Sequence, residues 1–157
     1  GPISFKSFQE VAEYFNKYSK ILSQYGFEVL HPMIAKGCLK DQNNLVPEGY
    51  QHPECTNHAI VERDNWMVAE SDIVFFDFTQ TTKISIGSMF ELAWAYQLRK
   101  YVVVVMQPEN PHWHSFVMEA ADIVFPTSSE ALEYLRKLIQ SLFHLDLIIL
   151  LIYMQVI

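Results

Sequence analysis

The pattern of hydrophobic and polar positions alternates between the helical and the strand period along the chain. Ser7 and Glu10 form a capping-box signature ahead of apolar positions at helical spacing, which predicts a first helix. The continuous apolar runs at 73–76 and 101–106 instead predict strands that are covered on both faces. Helices and strands that alternate in this way are typical of a parallel sheet with right-handed crossovers.

The predicted elements give a single-domain α/β fold of the flavodoxin or Rossmann-like type, with about five parallel strands and helices on both faces of the sheet. We expect this domain to span residues 1–140, with 141–157 as an apolar C-terminal extension. Residues 33–56 show no clear period, and their glycines, prolines and asparagines are typical of a long binding loop. The predicted strands are 27–30, 73–76, 101–106 and 123–125, and helices are predicted to begin near residues 7, 59, 85, 115 and 128.

Composition and charge restrict the class of protein. The chain has 157 residues, half of them hydrophobic, and a net charge of -7. This charge argues against a nucleic-acid polymer as partner, because such a surface needs clustered Lys and Arg. Two cysteines are too few for a disulfide framework, no signal peptide is recognised, and the apolar C-terminal stretch is shorter than the ~20 residues that span a bilayer. We therefore expect a soluble, cytoplasmic protein without a membrane partner.

Two acidic residues lie in predicted helices near one edge of the sheet. Asp64 precedes the strand at 73–76, and Glu91 lies in the first turns of the helix that begins near 85. Ligands of open α/β sheets bind beyond the carboxyl ends of the strands. Two carboxyl groups at that edge suit glycosidic chemistry, because one can attack the sugar while the other handles a proton. The alternative is that both are solvated helix residues.

Small polar residues are expected at the same edge. Ser85, Gly87 and Ser88 lie where a helix opens, and its free N–H groups suit a phosphate or another oxyanion. Asp77 directly follows its strand and is either a sugar or base contact or a cap of the strand end. For the serines, the alternative role is that of a helix cap.

Three stretches of the chain together resemble one known family. They are ERDNWMVAESDIVFFDFTQ at 62–80, SIGSMFELAWA at 85–95 and SFVMEAAD at 115–122. In this order they resemble the nucleoside 2-deoxyribosyltransferase superfamily, and most of all its 2'-deoxynucleoside 5'-monophosphate N-hydrolase branch. The second stretch is similar to the Ser-x-Gly-x-x-x-Glu turn of that family, and residues 1–4 resemble its Gly-Pro loop.

The resemblance implies an N-glycosidase that releases the base from a (2'-deoxy)nucleoside 5'-monophosphate. Glu91 would be the nucleophile that forms a covalent glycosyl-enzyme, and Asp64 would hold or protonate the departing base or orient a sugar hydroxyl. The alternatives are a nucleoside 2-deoxyribosyltransferase, in which a second base resolves the intermediate, and a non-catalytic nucleotide-binding protein. The residues expected to bind substrate are Ser85, Gly87, Ser88, Asp77, Ser115, Ser4 and Gly1.

The resemblance also implies partners. We expect a small-molecule nucleotide or nucleoside as ligand, no cofactor, and a homodimer or higher homo-oligomer in which Ser115 completes the phosphate site of a neighbouring subunit. A competing hypothesis is a metal site, because His52, Cys55 and His58 have ligand-like spacing and Cys38 is a possible fourth ligand. Zinc normally uses more closely spaced pairs, so we expect no metal and place the histidines near a nucleobase.

The apolar C-terminal stretch has a possible structural role. Relatives enter the Gly-Pro loop from a buried strand that often carries a tyrosine near the active site, and the sequence given begins at Gly1. We hypothesise that residues 147–157 occupy that strand position, from the same chain or a partner, with Tyr153 in place of the tyrosine. The alternative is a helical extension that covers apolar surface at a subunit contact.

Overall fold

A computed structural model describes residues 6–46, 49–143 and 150–156. Gly1 and Ser4, two of the expected substrate-binding residues, lie outside these ranges. Within them the chain forms five helices and five strands in one α/β unit. The helices are α1 (Phe8–Tyr25), α2 (Asn57–Glu70), α3 (Ile86–Gln97), α4 (Ser115–Ala120) and α5 (Ser128–Phe143), and the strands are β1 (Phe27–Leu30), β2 (Ile73–Asp77), β3 (Tyr101–Val105), β4 (Ile123–Phe125) and β5 (Leu150–Val156).

All described strands run parallel in a single sheet of order β1-β5-β2-β3-β4. The last strand in sequence therefore lies between the first two. Counted with β5 first, the order becomes 2-1-3-4-5, which is the flavodoxin-like arrangement. The predicted α/β class is thus confirmed. Of the C-terminal stretch at 147–157, which was expected to pair in the sheet of its own chain or a partner, the described residues 150–156 pair in the sheet of their own chain.

Helices cover both faces of the sheet, and strand alternation decides which core each side chain enters. Ile73 and Phe75 of β2 pack with α1 and α5, whereas Val74 and Phe76 pack with α2, α3 and α4. In β5 the same alternation sends Tyr153 to the second of these faces. Every side chain of β2 is buried, as the continuous apolar run predicted.

Local signals explain where the helices begin and end. The Ser7–Glu10 capping box forms at the start of α1, and Gly26 ends this helix with a φ of 106°. Helix α5 begins at residue 128 as predicted, and the hydroxyl of Thr127 just before it accepts the N–H of Glu130. The loop at 33–56 contains two short 3₁₀ helices, Gly37–Leu39 and Pro53–Cys55.

No helix among the described residues is long and apolar enough to cross a membrane.

Candidate active site

Glu91 is a buried carboxylate on the second turn of α3. Glu91 is only 3 % exposed, because this position of the helix faces the sheet, whereas the neighbouring Phe90 faces outward. The hydroxyl of Tyr153, from β5 between β1 and β2, donates a hydrogen bond to Glu91 Oε1 at 3.1 Å. Glu91 Oε2 is buried and has no hydrogen-bond partner among the described residues. One oxygen is therefore held by Tyr153, and the other has no described partner.

Asp64 lies beside Glu91 on the neighbouring helix. Helices α2 and α3 pack together, and Asp64 is 8 % exposed. Burial, and then the charge of Asp64, raise the pKa of Glu91 to about 8. Burial also raises the pKa of Asp64, against the lowering effect of Lys36 and Arg63. Since charges act strongly only at short range, Asp64, Glu91 and Tyr153 form one group, which we call the acid cluster.

Two basic residues lie close to the acid cluster. Lys36, in the turn after β1, is 8 % exposed, and its charge lowers the pKa of both Asp64 and Glu91. Arg63 donates from Nη1 to the carbonyl oxygen of Glu54 at 2.8 Å. Its Nε and Nη2 are buried and have no partner among the described residues. These cations partly offset the cost of holding two acids away from water.

The N-terminus of α3 is built around Ser85 and His112. The side chain of Ser85 caps the helix by accepting the backbone N–H of Ser88, and the Ser88 hydroxyl donates to Ser85 Oγ at 2.9 Å. The backbone N–H of Ser85 donates to Nε2 of the buried His112 at 2.9 Å. His112 Nδ1 lies 3.0 Å from Asn110 Oδ1, which places the ring proton on Nδ1. The turn at Ser85 is thus fixed by Ser88 on the helix side and by His112 on the loop side.

The first backbone N–H groups of α3 are free to bind an anion. Those of Ile86 and Gly87 make no hydrogen bond among the described residues. A Cβ atom added at Gly87 would meet nothing within 4 Å, so the space beside this turn is open. On the inner side of the turn, Gln155 of β5 donates from Nε2 to Ser88 Oγ at 3.4 Å. The turn therefore borders both open space and the strand that carries Tyr153.

Asp77 lies on the opposite face of the sheet from the acid cluster. Its Oδ2 accepts hydrogen bonds from the hydroxyls of Tyr18 at 2.8 Å and Ser128 at 2.5 Å. Its Oδ1 accepts the backbone N–H and the hydroxyl of Thr79. These four bonds satisfy the carboxylate and match the alternative of a strand-end cap. They give no support to the expected substrate contact of Asp77.

Ser115 is exposed at the first position of α4, and the side chain that caps this helix is His114. Ser115 borders an apolar groove of about 640 Å³ between α3 and α4, which Met89, Tyr96 and Phe116 also line. It does not contact the acid cluster within its own chain. The structure therefore brings together Glu91, Asp64, Ser85, Gly87 and Ser88, and leaves Ser115 on an outer surface.

Several residues of the site were not predicted to take part. Lys36 comes from a loop without a period, and Arg63 precedes Asp64 without a pattern of its own. Gln155 lies in the apolar C-terminal stretch, and the sequence alone did not determine which strand this stretch pairs with. His112 lies in the loop between β3 and α4, where no sequence pattern pointed to the site.

The fold and the acid cluster define a class of protein: a parallel α/β protein with two buried carboxyl groups and a free helix N-terminus suited to chemistry at a sugar. The family model described as nucleoside 2-deoxyribosyltransferase matches residues 1–143. The chain belongs to this family. Membership supports glycosyl transfer or cleavage at the N-glycosidic bond of nucleosides as the general reaction, with small-molecule nucleosides as the substrate class. No curated protein and no solved structure matches the chain.

Proposed function

We propose that the protein cleaves the N-glycosidic bond of a (2'-deoxy)nucleoside 5'-monophosphate and releases the free nucleobase. The observation that carries this proposal is the state of Glu91. One oxygen of this buried carboxylate is held by Tyr153, while the other is buried and without a partner. An unpaired buried carboxylate oxygen is costly for stability, and such sites are found where function requires them.

Glu91 acts as the nucleophile in this mechanism. Its ionised carboxylate attacks C1' of the sugar, the C–N bond to the base breaks, and a covalent glycosyl-enzyme forms. The bond from Tyr153 orients the attacking group and favours the ionised form, which burial disfavours. Water then attacks C1', and Glu91 leaves as a carboxylate. Positive charge that develops on the sugar is stabilised by the same carboxylate in a dry site.

Asp64 acts as the acid and base. Burial raises its pKa, which makes its protonated form more available near neutral pH. It gives a proton to the departing base in the first step and takes one from water in the second. Asp64 Oδ1 is buried and unpartnered among the described residues, which leaves it free for this contact.

The 5'-phosphate binds at the N-terminus of α3. The free N–H groups of Ile86 and Gly87 and the positive end of the helix dipole favour an anion there. The Ser85 hydroxyl accepts the bond from the buried Ser88 and keeps its own proton for the anion, and the open space beside Gly87 admits the phosphate. Gly1 and Ser4 remain proposed contacts by resemblance alone.

A homodimer completes this phosphate site. Three apolar side chains near the groove are largely exposed, namely Phe116 at 80 %, Ile86 at 72 % and Phe90 at 57 %. Exposed apolar groups of this size on neighbouring helices are typical of a protein contact. A second copy that covers them would bring its own Ser115 toward the phosphate.

The test is release of free base from a panel of nucleoside 5'-monophosphates and the matching nucleosides. We expect release from one or more monophosphates and much less from the nucleosides. The Glu91→Gln variant should bind ligand and release no base, whereas Glu13→Gln, at an exposed position of α1 on the other face of the sheet, should retain activity. Addition of a second free base separates the alternatives, since a transferase would form a new nucleoside. Turnover by Glu91→Gln equal to that of the unchanged protein would refute the proposal.

A further inference from the structure

The loop at 33–56 brings three potential metal ligands together and places a second thiol beside one of them. A sulfur of Cys38, a ring nitrogen of His52 and a carboxylate oxygen of Glu54 all lie within 4.8 Å of one another. Cys55 Sγ lies 3.1 Å from Cys38 Sγ. Cys38 comes from the first 3₁₀ helix of the loop, and the other three residues are at the second. The two 3₁₀ helices therefore present a thiol, an imidazole and a carboxylate to one point, with the Cys55 thiol next to that of Cys38.

The separation of the two sulfurs is close to that of two thiolates on one tetrahedral zinc ion. With Zn–S bonds of about 2.3 Å, two sulfurs on one tetrahedral zinc ion lie about 3.8 Å apart. The two thiols at 3.1 Å would move apart by less than 1 Å to reach this geometry. The side chains of His52 and Glu54 are exposed and free to rotate toward the sulfurs. Cys55 is fully buried, which fixes one ligand in place.

The donor set also selects the kind of ion. Two sulfurs with one nitrogen and one oxygen favour a borderline-soft divalent cation such as zinc over magnesium or calcium, which prefer oxygen ligands alone. Neither His52 nor the two thiols take part in the acid cluster, so the proposed mechanism leaves them without a role.

We propose that Cys38, His52, Glu54 and Cys55 form a binding site for a zinc-like divalent cation. Such an ion would tie the first 3₁₀ helix to the second and so fix the loop to the start of α2. Lys36 lies two residues before Cys38, and the Arg63 guanidinium already holds the carbonyl of Glu54. The ion would therefore hold the loop that carries Lys36 against the helix that carries Asp64. This inference does not depend on the identity of the substrate.

The test uses chelator-washed, reduced protein titrated with Zn²⁺ and, as a spectroscopic probe, with Co²⁺. We expect one ion per chain, a higher melting temperature, and a thiolate-to-cobalt charge-transfer band. Loss of an outer-shell partner weakens metal binding by up to about a hundredfold, and loss of a direct ligand should weaken Zn²⁺ binding at least as much. Cys38→Ser, Cys55→Ser and His52→Ala test this, and Glu54→Gln tests the carboxylate.

Matched controls lie on α2 just beyond the cluster. His58→Ala and Glu62→Gln change exposed residues of the same types and should bind Zn²⁺ like the unchanged protein. Equal affinity in Cys38→Ser would overturn the proposal, and so would equal loss in His58→Ala. Protein that binds no ion and whose mass falls by two hydrogen atoms under mild oxidation would instead show a Cys38–Cys55 disulfide. None of these results bears on base release, so failure here leaves the proposed function intact.

Discussion

The bond between Tyr153 and Glu91 gives a prediction that can be worked out from the structure. Tyr153→Phe removes the only described donor to Glu91 Oε1 and leaves the packing of the ring in place. A hydrogen bond to a charged group contributes about 1.5–3 kcal/mol, which corresponds to about 1–2 pKa units. Because the bond favours the ionised form, its loss raises the pKa of Glu91, which is already about 8.

This shift has a defined effect on the rate. A carboxyl group with a pKa of about 8 is about one-tenth ionised at pH 7, so a further rise of 1–2 units lowers the ionised fraction by about 10–100-fold. If Glu91 attacks as a carboxylate, kcat/KM for base release near pH 7 should fall by the same factor. The rate should recover as the pH rises, because the nucleophile itself is intact. Burial and Glu91 keep the pKa of Tyr153 high, so the unchanged protein retains its donor over this range.

The assay is kcat/KM for base release as a function of pH, with Tyr101→Phe as control. Tyr101 also loses a hydroxyl contact in that variant, to Tyr134, but its side chain belongs to the core on the other face. An alkaline shift in Tyr153→Phe alone supports the reasoning. An equal loss of rate at every pH, or a shift in both variants, would refute it.

Three further predictions concern the charges of the site. Asp64→Asn should lower the apparent pKa of Glu91 in the same pH profile, because the charge of Asp64 raises this pKa. The variant should also reduce kcat by about 10²–10⁴, because it lacks the acid. A higher apparent pKa of Glu91 would contradict this prediction. Lys36→Met should raise that pKa, whereas the exposed Lys40→Met should not. Finally, the pKa of Glu91 is raised on folding from 4.5 to about 8, so the folded state binds the extra proton and stability falls as the pH rises through this interval. Glu91→Gln lacks this loss. The difference in unfolding free energy between Glu91→Gln and the unchanged protein, measured by urea unfolding, should therefore grow by several kcal/mol from about pH 5 to about pH 9. An unfolding free energy that changes equally with pH in both proteins would contradict the effect of burial on Glu91.

Local periodicity was sufficient to predict most of the scaffold. The buried positions of α1 follow the helical spacing read from the sequence, and β1 and β4 begin and end at the predicted residues. These elements depend on short-range patterns, namely caps, turns and apolar runs, which a single sequence contains. The cap of α5 shows the limit, since Thr127, Ser128 and Ser129 are equally good caps by type.

The site was less predictable because it depends on which elements meet. Asp77 was placed at the correct edge of the sheet, but the two-residue period of β2 puts its side chain on the face of Ile73 and Phe75. Lys36 reaches the acid cluster from a loop whose path no period describes. The tyrosine that orients Glu91 could be proposed only by resemblance, and the pairing of β5 with β2 then supplied it.

The position of β5 has a consequence for the order in which the protein becomes functional during translation. The ribosome makes β1 and β2 long before β5, yet these two strands meet only through it. Among the described strands, β1 and β2 keep unpaired edges toward this position until β5 pairs with them, and unpaired edges are the kind of surface that chaperones cover. Glu91 likewise lacks its hydroxyl partner until that moment. Pairing of β5 in the sheet and the hydrogen bond from Tyr153 to Glu91 are thus formed in one event.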